Sequence, residues 1–242
     1  MLALNARASA VRKPPPTTLC DTCAVRKVSV CGGVATEDLH RLNQAAERIV
    51  APAGGRLVSQ GDLSVEVLTV TSGSVRVFRL LEDGRRQITG FLFAGDFFMT
   101  PESDHAFSVE AIEPSSVCRF QRKTYEAFAR ATPGLEAALV QRLNRDLQTA
   151  RRQAVLLGRK TALERLASFL LDLAEADLVR RAPGNQVRLP MTRAEIGDYL
   201  GLTIETVSRA LARLRAAKAI SWTRLDAVQI DHPNTLRTLA GG

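Results

Sequence analysis

The chain has 242 residues, 45% of them hydrophobic, with a formal net charge of +8 at pH 7 and a pI of about 9.9. That length suits one large domain or two ordinary ones, and the basic surplus points to a polyanionic partner such as nucleic acid. No run of about twenty apolar residues occurs, which excludes a transmembrane helix and predicts a cytoplasmic protein without a membrane partner.

The N-terminal stretch MLALNARASAVRKPPPTT is basic and Pro-rich and lacks the apolar centre of a secretory signal. It reads as a disordered tail, or, with Arg, Ser and no acids, as a transit peptide. LCDTCAVRKVSVCGG follows and places Cys20, Cys23 and Cys31 within a dozen positions; the remaining cysteine is the distant Cys118. Without an export signal, such a set does not form a disulfide framework, and clustered cysteine in a reducing compartment signals metal or redox chemistry. Residues 1–33 thus comprise a tail and a cysteine arm.

Residues 34–123 form the next unit. Thr36 is expected to cap a short helix running to about Glu47, with Leu39 and Leu42 on one face. From about residue 49 the punctuation is regular: Gly61-Asp62, Gly73-Ser74, Gly84-Arg85 and Gly95-Asp96, spaced by eleven or twelve residues. Between them lie VEVLTV, SVRVFRLL and QITGFLF, short and partly alternating. This spacing predicts an antiparallel sandwich or barrel.

Residues 124–160 read as a hinge and a long helix. TYEAFARA predicts a short helix that Pro133 breaks, and a second helix follows from Leu135 to about Arg159. Leu135, Leu139, Leu143, Leu147, Ala150, Ala154 and Leu157 recur at steps of three and four. Arg142, Arg145, Asp146, Arg151 and Arg152 occupy other faces. An apolar face over about twenty-five residues is long for a helix of a small domain. It predicts a helix–helix seam in a homodimer; packing against the chain's own barrel is the other use of such a face.

Residues 161–242 open on a capping box, Thr161 with Glu164, ahead of an amphipathic helix through Leu163, Leu166, Phe169, Leu170 and Leu173. APGN at 182–185 reads as a loop. Residues 191–216 are MTRAEIGDYLGLTIETVSRALARLRA. Thr192 and Glu195 make a second capping box, Ile196, Tyr199 and Leu200 are available for packing, Gly201 turns the chain, and Thr203 caps another helix. This is a helix-turn-helix. Ile204, Val207, Leu211 and Leu214 should face inward. Glu205, Ser208 and Arg209 share another face in the first two turns, where a recognition helix meets base edges. Arg fits guanine O6 and N7 with a bidentate fork and Glu accepts from cytosine N4, so Glu205 and Arg209 can read one G·C pair. Arg213 and Arg215 suit phosphates. Alone, Glu205 and Arg209 would be a surface ion pair worth about 0.3–0.5 kcal/mol; the surrounding motif instead favours double-stranded DNA as the partner. AKAISWTR and AVQIDH, flanking Leu225-Asp226, predict a hairpin wing.

A β-roll, a long dimer helix and a winged helix-turn-helix, in that order, resemble the Crp/Fnr superfamily of bacterial transcription regulators over about residues 34–235. TRAEIGDYLGLTIETVSRALARL is similar to the Fnr and FixK branch, whose recognition helices carry E-x-x-S-R, here Glu205, Ser208 and Arg209. The resemblance implies an α+β chain with an N-terminal cyclic-nucleotide-binding-like β-roll, a dimerisation helix and a C-terminal DNA-binding domain. It implies a two-fold symmetric site of the type TTGAT-N4-ATCAA, contacted by Thr203, Glu205, Ser208, Arg209 and Arg213, with RNA polymerase as a further partner. Members that bind cyclic AMP use a G-E pair and a later R-S pair. After Gly95-Asp96-Phe97-Phe98 this chain reads MTPESDHAFSVEA, with no R-S pair and no other Lys or Arg to grip a phosphate, so no cyclic nucleotide is expected.

Fnr-type sensors hold an oxygen-labile 4Fe-4S cluster with three N-terminal cysteines and one from the β-roll. Cys20-x2-Cys23-x7-Cys31 has the alphaproteobacterial spacing of that type, and Cys118, in SSVCRF, stands where the family has its fourth ligand. The resemblance therefore implies a cluster on Cys20, Cys23, Cys31 and Cys118, one thiolate per iron, with Arg26, Lys27 and Arg119 near in sequence to offset its charge. Zinc in an all-thiolate site is the alternative. FixK-like members often lack the cluster, a C-x-x-C redox pair would lack its βαβ setting here, and Cys118 alone could be a buried apolar cysteine. No H-E-x-x-H, P-loop or nucleophile elbow occurs, and His40, His105 and His232 are scattered, so no enzyme is expected. The resulting expectation is an oxygen-responsive DNA-binding regulator.

Overall fold

The computed structural model describes residues 19–62, 66–100, 107–179 and 185–241, with side chains left out for 177–179. It has the expected α+β architecture. After two 3₁₀ turns, Arg26–Val28 and Val30–Gly33, the chain forms helix α1 (Leu39–Ala45). Eight strands follow: β1 (Glu47–Ala51), β2 (Arg56–Val58), β3 (Glu66–Ser72), β4 (Ser74–Leu80), β5 (Arg86–Phe93), β6 (Phe97–Met99), β7 (Ser108–Ala111) and β8 (Ser115–Gln121). They form two antiparallel sheets, in the orders β1-β8-β3-β6 and β2-β7-β4-β5. The in–out alternation of a half-buried strand is lost along β3, where Val67, Leu68, Thr69 and Val70 are all buried. One face of this strand meets the other sheet, and the opposite face meets helices and the arm.

Thr36 does not cap α1. It lies inside a 3₁₀ turn, Thr36–Asp38, and its hydroxyl makes no cap hydrogen bond, while Glu47 already belongs to β1. Leu39 and Leu42 are buried as expected. Gly95 turns β5 into β6 at φ +97°, a conformation that a side chain would strain.

The expected short helix is α2 (Arg122–Arg130), and Pro133 occupies the first turn of α3 (Pro133–Arg159), where its missing N–H costs nothing. The apolar stripe of α3 divides. Leu135 is fully buried and Leu139 packs on the same core, so this end of the helix is held by its own β-roll. Val140, Leu143 and Leu147 are about half exposed, at 54%, 52% and 50%. With the exposed Ala150 and Ala154 they repeat at steps of three and four, the a/d pattern of a helix pair. Arg142, expected on a polar face, reaches back to the β-roll: its guanidinium is 2.9 Å from Asp96 and 2.9 Å from Asp146.

Thr161 and Glu164 close their capping box at the start of α4 (Ala162–Val179), with the Thr161 amide 2.7 Å from Glu164 Oε2. Of the expected apolar face, Leu166, Phe169, Leu170 and Leu173 are buried. Most of the APGN loop, 182–184, lies outside the described residues. The remainder is β9 (Gln186–Arg188), α5 (Arg193–Leu200), α6 (Ile204–Ala216), β10 (Ile220–Arg224), β11 (Ala227–Ile230) and α7 (Pro233–Leu239). β10 and β11 are the expected wing, and β9 adds a third strand to it.

Sequence reasoning misses β9, α7 and the junction between β-roll and DNA-binding domain. At that junction Phe91 of β5 stacks on Tyr199 and Phe169, with centroids at 5.3 and 6.1 Å. Arg86 pairs with Asp198 at 2.7 Å, and Arg76 bridges Glu110 of β7 and Glu195 of α5. None of these pairs is close in sequence, so no local pattern announces them.

Candidate functional sites: a cysteine pocket and a helix-turn-helix surface

Cys20, Cys23, Cys31 and Cys118, which the sequence separates by up to 98 positions, line one pocket. Cys20 sits in a turn and Cys23 in the irregular residue after it, both before the first 3₁₀ segment, and Cys31 lies in the second. Val25, Val30 and Val34 anchor this arm in the core, and Arg26 ties it off by donating from Nη2 to the Val34 carbonyl at 2.9 Å. Cys118 lies in the middle of β8, opposite Arg48 of β1 on one side and Thr69 of β3 on the other.

The electrostatics follow from this burial. It pushes the Cys31 thiol up to about 12 and the Cys20 thiol up to about 11, and it also raises Cys118. The neighbouring cysteines add to the rise, since one thiolate disfavours the next. Arg26 opposes it at Cys20 and Arg48 opposes it at Cys118. Two of the three cations suggested by sequence play another part. Arg119 follows Cys118 on β8 and therefore points to the opposite side, where it pairs with Glu47 at 2.8 Å and Glu66 at 3.4 Å. Lys27 is exposed. Arg48, seventy residues away in sequence but in register with Cys118, takes their place.

The donor set is all sulfur, which suits iron–sulfur or zinc binding. Among the described residues no three His, Cys, Asp or Glu side chains form a group set to hold a metal ion. A four-iron cube takes one thiolate at each iron, and a single zinc ion takes all four. The pocket fits the cube by its chemistry.

The second site is built by α5 and α6. Thr192 caps α5, with Glu195 N 3.2 Å from its hydroxyl and the Thr192 amide 2.7 Å from the Glu195 carboxylate. Gly201 turns the chain at φ +64°, and the Thr203 hydroxyl accepts from Thr206 N to start α6. Val207, Leu211 and Leu214 are buried as expected. Ile204 is not: it is 46% exposed, and Ala210 supplies the remaining inward position. Ile204 lies in the first turn, before the helix reaches the core. Glu205 and Arg209 are exposed, and Ser208 between them is half-buried.

The Glu205 carboxyl is held below its usual range by its own backbone amide and the Thr203 hydroxyl, with Arg209 adding a smaller pull. Arg209 donates to Thr206 Oγ1 at 3.4 Å. Arg213 is exposed in the last turns. Arg193, at the first position of α5, is not singled out by sequence. It stacks 5.9 Å over Trp222 of the wing and lies 3.4 Å from Ser208 Oγ, so it joins α5, α6 and β10.

Residues 48–132 match the cyclic nucleotide-binding domain, and residues 164–239 match the Crp-like helix-turn-helix domain. The chain is 37% identical over 214 residues to the nitrogen fixation regulation protein FixK of Bradyrhizobium diazoefficiens, covering 88% of this chain and 90% of that one. It is 37% identical over 207 residues to the transcriptional activator protein FnrL of Cereibacter sphaeroides, covering 83% and 84%. The solved structure of FixK2 from Bradyrhizobium japonicum superposes with a TM-score of 0.72 at 35% identity, covering 80% of this chain and 96% of that one.

Proposed function

The chain belongs to the Crp/Fnr family of DNA-binding transcription regulators and is not an enzyme; from that premise we propose that it senses oxygen through a 4Fe-4S cluster held by Cys20, Cys23, Cys31 and Cys118. The observation that carries this reading is the gathering of all four cysteines around one pocket from an N-terminal arm and a central strand. Bound there, the group supplies a linkage between arm and β-roll that oxygen breaks.

The chain's own residues set what that linkage controls. Burial makes the Cys20, Cys31 and Cys118 thiols costly to ionise, so a cationic centre is what stabilises them as thiolates. With the linkage in place, the arm is fixed to β8. Without it, the arm is held by its buried valines and by the contact of Gly33 with Gly134 in the first turn of α3. The exposed seam of Val140, Leu143 and Leu147 pairs with the same seam on a second copy, and the dimer presents two copies of α6. Glu205 and Arg209 read the G·C pair of a TTGAT-N4-ATCAA-like palindrome, Ser208 and Thr203 contact its neighbourhood, and Arg213 meets phosphate. The protein acts in the cytoplasm as an activator that contacts RNA polymerase. No cyclic nucleotide is used: the stretch after Gly95-Asp96-Phe97-Phe98 carries no R-S pair and no other Lys or Arg.

The test is purification without oxygen, with iron, sulfide and zinc assayed before and after air. About four irons and four sulfides per chain, lost in air, are expected. A colourless protein with one zinc per chain would replace the cluster by a structural metal, and a metal-free protein with undiminished DNA binding would make it a regulator of the same fold without a cluster.

A further inference from the structure

Thr69 lies on the middle of β3 and is 2% exposed. Its hydroxyl oxygen is buried and has no hydrogen-bond partner. In the register of the sheet it stands directly opposite Cys118, and it lines the same pocket as the four cysteines. A buried hydroxyl left unmatched destabilises the fold, so an orphan of this kind calls for an explanation. Nearby Thr71 shows what the strand does elsewhere: its hydroxyl donates to the Ser116 carbonyl at 2.9 Å. Residues directly opposite across an antiparallel pair have their Cβ atoms about 4.5–5.5 Å apart. The hydroxyl of Thr69 therefore opens on the same pocket as the Cys118 sulfur, with which it makes no hydrogen bond in this structure.

We infer that Thr69 is a positioning residue for the sulfur-ligated group, donating its O–H to the Cys118 thiolate or to an adjoining sulfide and so tuning the group's reduction potential. This deepens the proposed cluster and rests on that reading. The physical reason is charge. Reduction adds an electron to an already anionic sulfur-ligated centre, and a hydrogen bond to sulfur stabilises the more negative state, which raises the potential. Arg48 and Arg26, the cations beside Cys118 and Cys20, act in the same direction from further out. Thr69 differs from them because its hydroxyl has no alternative partner among the described residues.

The experiment uses the full chain, reconstituted anaerobically with iron and sulfide, as wild type, Thr69→Val and Thr69→Ser. Valine keeps the branched shape and removes the donor; serine keeps the donor. Iron and sulfide content is measured first, then the midpoint potential by anaerobic titration and the iron–thiolate stretching bands by resonance Raman. All three proteins are expected to hold the same iron and sulfide. Thr69→Val should shift its potential downward, with a tenfold change in the reduction equilibrium, about 59 mV for one electron, as the expected scale. Its iron–thiolate bands should move, and Thr69→Ser should restore both. Equal cluster content with an unchanged potential in Thr69→Val would overturn the role of Thr69 and leave the cluster standing. Failure of the wild type to take up iron and sulfide would overturn both. Loss of cluster from Thr69→Val with normal content in Thr69→Ser would support the hydroxyl contact, whereas equal loss from both variants would reduce Thr69 to a packing residue.

Discussion

Gly33 and Gly134 meet backbone to backbone. A Cβ on either would fall 2.2 Å from the carbonyl oxygen of the other, closer than any side-chain carbon can sit. Gly33 ends the cysteine arm and Gly134 lies in the first turn of α3. Their contact is a direct physical route from the cysteine pocket to α3, shorter than the one through β8 and α2. A second contact supports it: Val28 of the arm packs within reach of Gly95, next to Asp96, which holds Arg142 of α3.

Gly33→Ala should therefore separate arm and helix. Both neighbours are backbone and cannot turn aside, so the cost is that of overpacking, about 1–3 kcal/mol. The variant should unfold at lower temperature, and hydrogen exchange should rise in residues 26–34 and in the first turn of α3. Unchanged exchange at both places would show that the contact carries no coupling.

The seam prediction rests on exposure. Leu147 is half exposed in the single chain, so Leu147→Asp removes little from the protomer's own core. In a dimer the same residue would be buried, a loss of about 1.5–3 kcal/mol for each copy, with like charges then facing across the seam. Sedimentation should show monomer where the wild type is dimer, with an unchanged circular dichroism spectrum. A variant that remained dimeric would place the dimer contact elsewhere.

Legibility in the sequence is uneven for physical reasons. The helix-turn-helix can be read because capping boxes, a turn glycine and a 3.6-residue period are local signals, and Thr192, Gly201 and Thr203 each sit where those signals put them. The stripe of α3 reads as continuous, but Leu135 and Leu139 turn to the chain's own core while Val140 joins the exposed seam. Steps of three and four do not tell which protein a face will meet. Cys118 is placed by family resemblance; its neighbours Arg48 and Thr69 come from strand register, which one sequence does not disclose. Arg119 is the tempting cation because it is adjacent in sequence, yet strand alternation sends it to Glu47 and Glu66.

Arg76 makes a prediction about the junction. It lies between Glu110 and Glu195, and its side chain is 14% exposed while that of Glu195 is 7% exposed. Glu195 also completes the cap of α5. Arg76→Met keeps the length and leaves the buried Glu195 carboxylate without its cation, while Glu110 keeps Arg56 at 3.3 Å. Breaking a buried pair from one side costs about 3–5 kcal/mol. A lower melting temperature is expected, with recovery in Arg76→Met combined with Glu195→Gln, whose amide oxygen can still accept from the Thr192 amide. No loss in the single variant would make the triad superficial.

On DNA, Arg209→Ala should cost about 1–3 kcal/mol per half-site and blunt preference at the G·C position, while Arg213→Ala should weaken all sequences alike. If the dimer makes roughly 6–10 phosphate contacts, affinity should fall about 10³–10⁵-fold between 50 and 200 mM salt. Fluorescence anisotropy on palindromes varied at one base pair separates the two effects. Full discrimination by Arg209→Ala would reduce Glu205 and Arg209 to surface residues.

The cysteines should act as one unit. A four-iron cube held by three thiolates exposes one iron to solvent and is lost more readily, so replacing any single member of Cys20, Cys23, Cys31 and Cys118 by Ser should abolish anaerobic DNA binding to a similar degree. On the proposed reading the aerobic protein has no cluster to lose and should change little. Loading should also depend on pH in a fixed direction. Burial keeps two of the thiols protonated at neutral pH, with Cys20 raised to about 11 and Cys31 to about 12. Binding must displace those protons, so apparent affinity for iron should rise with pH up to those values. Gel-shift affinity for the palindrome, with and without air, is the measurement for the four Ser variants, and iron uptake between pH 6.5 and 8.5 is the measurement for the wild type. A Cys118→Ser protein with the full oxygen response, beside three arm variants that lost it, would make Cys118 a core residue of β8. The fourth ligand would then have to come from another part of the chain, and the register of Cys118 with Arg48 and Thr69 would be a matter of packing alone.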